Sequence, residues 1–222
     1  WGNQSSILVG DYLLSRCFEM MVENGNLEIL KLLSSTSSKI AQGEILQVEN
    51  KGEIDILEET YFDIINSKTA SLFAAATRVG ACISNRNKKE KDALESFGRN
   101  LGLAFQIADD SLDYYSNKTI FGKEIGKDFF EGKVTLPIIF LYQKANLNEK
   151  IFLEKTFKKK NRSKLEYIEI QNLLKKYDSI NLCFKRAQHF VTISYNALNI
   201  FQPSQEKIIL QNLTSYSLER SF

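Results

Sequence analysis

Apolar residues recur at three- and four-residue intervals through most of this chain, a spacing that predicts helices rather than strands. Ile7, Leu8, Tyr12, Leu13, Leu14, Cys17, Phe18, Met20 and Met21 predict a first helix, amphipathic to buried, closed by Gly25 and Asn26. Leu30, Leu33, Ile40, Ile45 and Leu46 mark a second over 27–48. After a polar loop at Gly52, a third runs over 57–80 with Ala70, Ala74, Ala75, Ala76 and Gly80, small residues that let helices approach closely. The longest pattern, 88–115, carries Leu94, Phe97, Leu101, Ala104, Phe105, Ile107, Ala108 and Leu112. Gly98 and Gly102 sit inside it at a cost of about 1 kcal/mol each relative to Ala, which predicts close packing against a neighbouring helix.

The period then fails over 117–133, a stretch rich in Gly and Lys. Structureless connections of that size are uncommon, which makes it a place to look for function. Helix resumes over 134–146, with Pro137 tolerable in the first turn, and again over 165–176 and 179–200. A last helix is expected to begin at Pro203, since proline is favoured at helix starts. No repeat and no linker divides the chain, so 1–222 reads as a single all-α domain.

Composition agrees. Two prolines and 11 glycines are too few for the frequent turns of a sandwich or barrel, and 43% hydrophobic with 25% charged residues suits a globular core. The net charge of +2 gives no global field that calls for nucleic acid or an anionic membrane. The basic run Lys155, Lys158, Lys159, Lys160, Arg162 and Lys164 is short, with Phe157 as its only aromatic, and reads as a solvated connection between helices. Cys17, Cys82 and Cys183 form no C-x-x-C pair and read as three small buried residues in a reducing compartment. The single histidine, His189, excludes His-rich zinc sites and most Ser-His or Cys-His triads. No apolar run is long enough to span a bilayer; the stretch 134–142 is short and contains Pro137. The expectation is a cytoplasmic protein without an integral membrane segment.

The chemistry is concentrated in Phe105-Gln-Ile-Ala-Asp109-Asp110-Ser-Leu-Asp113, which puts three carboxylates on an otherwise apolar helix. At about 100° per residue, Asp113 lies about 40° round from Asp109, one turn further along the same face, and Gln106 joins them from the turn before. Like charges one turn apart repel, so this face calls for a cation. Oxygen donors without His or Cys select Mg²⁺ over zinc. An EF-hand is excluded because Lys118 stands where its glycine is needed. Mg²⁺ held by few carboxylates usually also binds substrate phosphates, and Lys123, Lys127 and Lys133, each beside a glycine, follow in the next loop. That loop is no P-loop: its glycine spacing differs, and Asp128 replaces the Ser/Thr that would ligate Mg²⁺. The combination predicts a diphosphate site with apolar walls.

The segment from Gly102 to Asp113 resembles the second aspartate-rich motif of the trans-isoprenyl diphosphate synthases, in particular the long-chain octaprenyl/polyprenyl members. Further marks stand in family order: Gly10-Asp11-Tyr-Leu-Leu, Gln42-Gly43-Glu44, Lys68-Thr69-Ala70, Gly122-Lys123, Gly126-x-Asp128, Gly132-Lys133-Val-Thr-Leu-Pro137, and the tail from Pro203-Ser204 to Arg220. The resemblance implies an antiparallel all-α bundle around a deep apolar cavity, usually dimeric. It implies a Mg²⁺-dependent prenyltransferase: an allylic diphosphate ionises and isopentenyl diphosphate attacks the cation, with no side-chain nucleophile. It assigns Asp109 as a direct Mg²⁺ ligand, with Asp110 and Asp113 in or just behind the coordination sphere and Asp128 supporting the metal waters. Lys68 and Lys123 would grip the allylic diphosphate, with Lys133 a further phosphate contact, and Thr69 and Gln106 would stabilise the developing cation.

One departure accompanies the resemblance. The family's first aspartate-rich motif and the arginine pair after it would lie upstream of Trp1, and no second D-D-x-x-D occurs. The expectation is an N-terminally truncated synthase lacking its first helices, completed by an upstream segment or by another chain. Two other readings stand beside it: a non-catalytic remnant or partner subunit, and a terpene or squalene-type synthase of the same fold. The Lys-Thr and Gly-Lys marks favour chain elongation, and no N-x-x-x-S-x-x-x-E metal motif occurs.

Overall fold

In the computed structural model, which describes residues 2–115 and 126–219, helix α5 (Lys88–Tyr115) forms the axis of the molecule. Helix α4 (Ser71–Ile83) packs along one side of it and α10 (Ser179–Ala197) along the other. Around these three lie α2 (Leu27–Glu49), α3 (Glu58–Ile65), α7 (Leu136–Lys144), α8 (Leu147–Phe157), α9 (Lys164–Lys176) and α11 (Gln205–Glu219). The short α6 (Lys127–Glu131) closes one end of α5. No strand occurs among the described residues.

Phe97, Leu101, Ala104, Ile107 and Ala108 bury the α5 stripe that the periodicity marks. The glycines on α5 act as expected. A Cβ on Gly98 would stand 2.4 Å from the Phe73 carbonyl oxygen, and one on Gly102 would stand 2.7 Å from the Ala70 Cα. The absent side chains therefore let α5 pack directly on the α4 backbone. Gly43 does the same for α2, where a Cβ would meet the Lys68 amide nitrogen at 2.6 Å.

Local chemistry sets several helix starts. Asn26 caps α2 by accepting the amides of Glu28 and Ile29 at 2.9 and 3.2 Å. Reciprocal capping boxes start α8 (Asn146 with Glu149) and α9 (Ser163 with Glu166).

The structure corrects several expectations. The third helical pattern is broken by a π-helical turn, Asn66–Ala70, between α3 and α4. Helix α8 lies where no helix was predicted, and α6 forms inside the stretch expected to be irregular. Pro203 precedes α11 by two residues instead of starting it. Cys82 and Cys183 are buried, but Cys17 is exposed. Within the basic run, Arg162 is half-buried and packed inward: its guanidinium lies 5.4 Å from the Phe157 ring centroid and donates to the Phe157 and Phe130 carbonyls.

The largest departure is α1 (Asn3–Asn24), expected to be amphipathic to buried. None of its residues is buried, and Ile7 and Tyr12 are each 64% exposed. Its contacts run chiefly to α2, which covers too little of it to enclose the apolar positions.

Candidate active site

Three segments bring the candidate residues together: the π turn with Lys68 and Thr69, the last two turns of α5, and α6 with its flanking glycines. A π turn is a rare local distortion, frequent at functional sites. Lys68 leans toward α2, where its ammonium donates to Gln47 Oε1 at 2.8 Å and pairs with Glu44 at 2.9 Å. Thr69 faces α5, and its hydroxyl donates to Gln106 Oε1 at 2.8 Å. Gln106 in turn donates through Nε2 to Asp110 Oδ1 at 2.8 Å. The other Asp110 oxygen accepts the Tyr61 hydroxyl at 2.7 Å.

Asp110 is therefore a buried carboxylate facing inward, whereas the adjacent Asp109 is half-buried. Burial, and then the charge of Asp128, push the Asp110 pKa up to about 8 against the lowering from its Gln106 and Tyr61 hydrogen bonds. Asp113 is pushed up to about 6 by burial and then by Asp128, opposed by the backbone amides it accepts. Its two oxygens accept the amides of Lys127 and Asp128 at 3.1 and 2.9 Å. Asp113, one turn along α5 from Asp109, thus holds the start of α6, and the same turn is tied to α9 through Tyr167, which donates to the Asp113 carbonyl at 2.7 Å.

Helix α6 is set by glycines at both ends. Gly126 and Gly132 have φ of +79° and +77°, left-handed conformations that other residues rarely adopt. Between them Asp128 accepts Lys133 Nζ at 3.2 Å, and Lys133 also pairs with Glu131 at 2.7 Å. Burial alone would lower the Lys133 pKa, but these two carboxylates raise it. Lys123 lies outside the described residues.

A cavity of about 260 Å³ opens between α2, α4 and α5, beyond the π turn along α4. Leu32, Thr36, Ser71, Ala74 and Ala75 line it, and the Arg78–Glu95 pair (2.6 Å) stands at its wall. Among the described residues, no three of His, Cys, Asp and Glu converge closely enough to hold a metal ion by themselves.

Sequence reasoning missed Glu44, Gln47 and Tyr61. Glu44 stands in one of the family-ordered motifs, so its position was visible although its pairing with Lys68 was not. Gln47 and Tyr61 carry no local signature, since their partners lie 21 and 49 residues away.

Comparison with known proteins decides the family. The polyprenyl synthetase model matches residues 1–174. The chain belongs to the polyprenyl synthetase family. It is 36% identical over 220 residues to the all-trans-nonaprenyl-diphosphate synthase (geranyl-diphosphate specific) of Rhodobacter capsulatus, covering 99% of this chain and 67% of that protein. It is 43% identical over 139 residues to the octaprenyl diphosphate synthase of Escherichia coli, covering 63% of this chain and 43% of that one. Among solved structures, a polyprenyl synthase from Caulobacter crescentus complexed with calcium and isoprenyl diphosphate matches all of this chain and 68% of its own, at 33% identity and a TM-score of 0.95. A decaprenyl diphosphate synthase from Rhodobacter capsulatus matches with the same coverage at 34% identity and a TM-score of 0.93. The all-α architecture is thus the polyprenyl synthase fold. The named relatives are diphosphate synthases, which favours chain elongation over a terpene or squalene-type reaction. No helix among the described residues is long and apolar enough to cross a membrane.

Proposed function

We propose that this member of the polyprenyl synthetase family is a prenyltransferase that adds isopentenyl diphosphate units to an allylic diphosphate, yielding a polyprenyl diphosphate. The observation that carries this reading is the hydrogen-bonded chain from Thr69 through Gln106 to Asp110, which ties the Lys68-Thr69 turn to the carboxylate motif.

The donor set fits Mg²⁺. Every candidate ligand is an oxygen, and Mg²⁺ is usually held by only one or two carboxylates, with waters and phosphates completing its shell. That is compatible with a site whose described residues gather no three-ligand cluster by themselves. Burial, and then the charge of Asp128, raise both Asp110 and Asp113, an electrostatic condition that a divalent cation would relieve. On this reading Asp109 takes the ion, Asp110 stands behind it, and Asp113 and Asp128 hold the adjoining backbone and waters. Bound Mg²⁺ would neutralise charge on the leaving diphosphate.

The chain's own residues do the rest. Lys68 exchanges its contacts with Glu44 and Gln47 for diphosphate oxygens, and Lys133 and Lys123 add positive charge beside them. The oxygens of Thr69 and Gln106 present partial negative charge to the allylic carbon as it becomes cationic, a stabilisation fixed in advance of the reaction. The mechanism calls on no side-chain nucleophile or histidine. We further assign the partner as a second copy of the chain, and the compartment as the cytoplasm.

The test is incubation of the full-length protein with farnesyl diphosphate, labelled isopentenyl diphosphate and Mg²⁺. The expected result is label in longer prenyl diphosphates, dependent on Mg²⁺. Absence of any extended product with a range of allylic diphosphates would overturn the assignment.

A further inference from the structure

We propose that Tyr61 is a positioning residue for this site, acting through Asp110 to fix the Gln106 amide and, with it, the Thr69 hydroxyl. The inference rests on the reading above, in which Thr69 and Gln106 serve the transfer step.

The register of the helix supplies the first argument. Tyr61 and Thr69 are eight residues apart, so an unbroken α-helix would turn them about 80° from each other. The π turn at Asn66–Ala70 takes up one residue, which returns Thr69 to within about 20° of Tyr61. Both side chains therefore face α5, where Gln106 and Asp110 stand one turn apart and meet them. The distortion of the backbone is what allows one helix to grip both ends of the Gln106–Asp110 pair.

The direction of the hydrogen bonds supplies the second. Tyr61 is 2% exposed and Asp110 5% exposed, so neither has water as a substitute partner. The phenol donates to Asp110 Oδ2 at 2.7 Å, and Asp110 Oδ1 accepts the Gln106 amide at 2.8 Å. With one Asp110 oxygen occupied by Tyr61, the other is aimed at the Gln106 NH₂ group. That fixes which end of the Gln106 amide faces Asp110 and leaves its oxygen toward Thr69. Without the phenol, the carboxylate is free to rotate and the amide is free to flip, presenting NH₂ where an oxygen is needed. Tyr61 does not reach the reacting atoms; it determines what Gln106 shows them.

Tyr61→Phe removes the hydroxyl and little else. Loss of this buried hydrogen bond, and of the Gln106 orientation it fixes, predicts a fall in kcat of roughly tenfold, with KM for both diphosphates within about twofold. In a Gln106→Ala background the same change should cost no further activity, because the group it positions is gone. Losses that simply multiply would mark Tyr61 as a structural residue and overturn the proposal. A second readout needs no turnover: the Gln106 side-chain amide NMR signal, assigned by its loss in Gln106→Ala, should shift in Tyr61→Phe. An unmoved signal overturns the proposal. If Tyr61→Phe does not fold, Tyr61→Met also removes the donor and is judged by the same signal. An inactive wild-type protein would refute the prenyltransferase assignment, while the NMR comparison would still decide whether Tyr61 controls Gln106.

Discussion

Asp113 reaches across to Asp128 and accepts its backbone amide at 2.9 Å, while its other oxygen accepts the amide of Lys127 at 3.1 Å. A carboxylate of the aspartate-rich motif is thereby spent on capping α6. Replacing Asp113 by Ala strips two charge-assisted hydrogen bonds and should destabilise the protein by about 1.5–3 kcal/mol in urea denaturation. Asp113→Asn keeps an acceptor and should cost less. Divalent-ion affinity should fall less in Asp113→Asn than in Asp109→Asn; the reverse order would make Asp113 the metal ligand instead of the support.

Two glycines predict opposite outcomes for the same substitution. Gly102→Ala drives a Cβ to 2.7 Å from the Ala70 Cα, at the end of the π turn. Overpacking of this kind costs typically about 1–3 kcal/mol, and because Thr69 is the next residue, turnover should fall with stability. Gly80 lies in α4 with nothing within 4 Å of its Cβ position. Gly80→Ala should raise stability by about 0.5–1 kcal/mol. Thermal denaturation of the two variants checks both signs.

The capping-box glutamates predict acid sensitivity. Hydrogen bonds, from Lys176 first for Glu149 and from Lys159 first for Glu166, lower both pKa values to about 2 from 4.5. A carboxylate whose folded pKa is depressed contributes stability that is fully present above its unfolded pKa and lost as pH falls through the folded one. Stability should therefore decline between about pH 4.5 and pH 2, and Glu149→Gln should flatten that slope in urea midpoints measured against pH. An unchanged slope would show that Glu149 contributes nothing to the acid response.

How much of this could be read in advance differs from element to element. The span of α5 was legible because Phe97, Leu101, Ala104 and Ala108 keep strict helical spacing around a buried stripe. Gly98 and Gly102 announced the close packing for the same reason. Helix α1 shows the limit: Ile7, Leu8 and Leu14 keep the spacing yet stay exposed, because periodicity reports which face is apolar, not what covers it. Helix α8 escaped because only Leu153, Thr156 and Phe157 are buried on it. Its capping pair, Asn146 and Glu149, was the available signal.

In the site, Asp109, Gln106, Lys68 and Thr69 were readable as residues, but their connection was not. The π turn carries no composition signature, and it is the π turn that aligns Thr69 with Tyr61. Face arithmetic put Asp113 beside Asp109, but helical geometry says nothing of an α6 backbone 14 residues further on that claims both its oxygens.

The central claim is that the α5 carboxylates hold a divalent cation on an allylic diphosphate, and titration calorimetry of farnesyl diphosphate into the full-length protein, with and without Mg²⁺, addresses it directly. Wild-type protein should bind the diphosphate only when Mg²⁺ is present. Asp109→Ala should lose that binding at least tenfold, equivalent to about 1.4 kcal/mol or more, with helicity unchanged by circular dichroism. Undiminished Mg²⁺-dependent binding in Asp109→Ala would contradict the account.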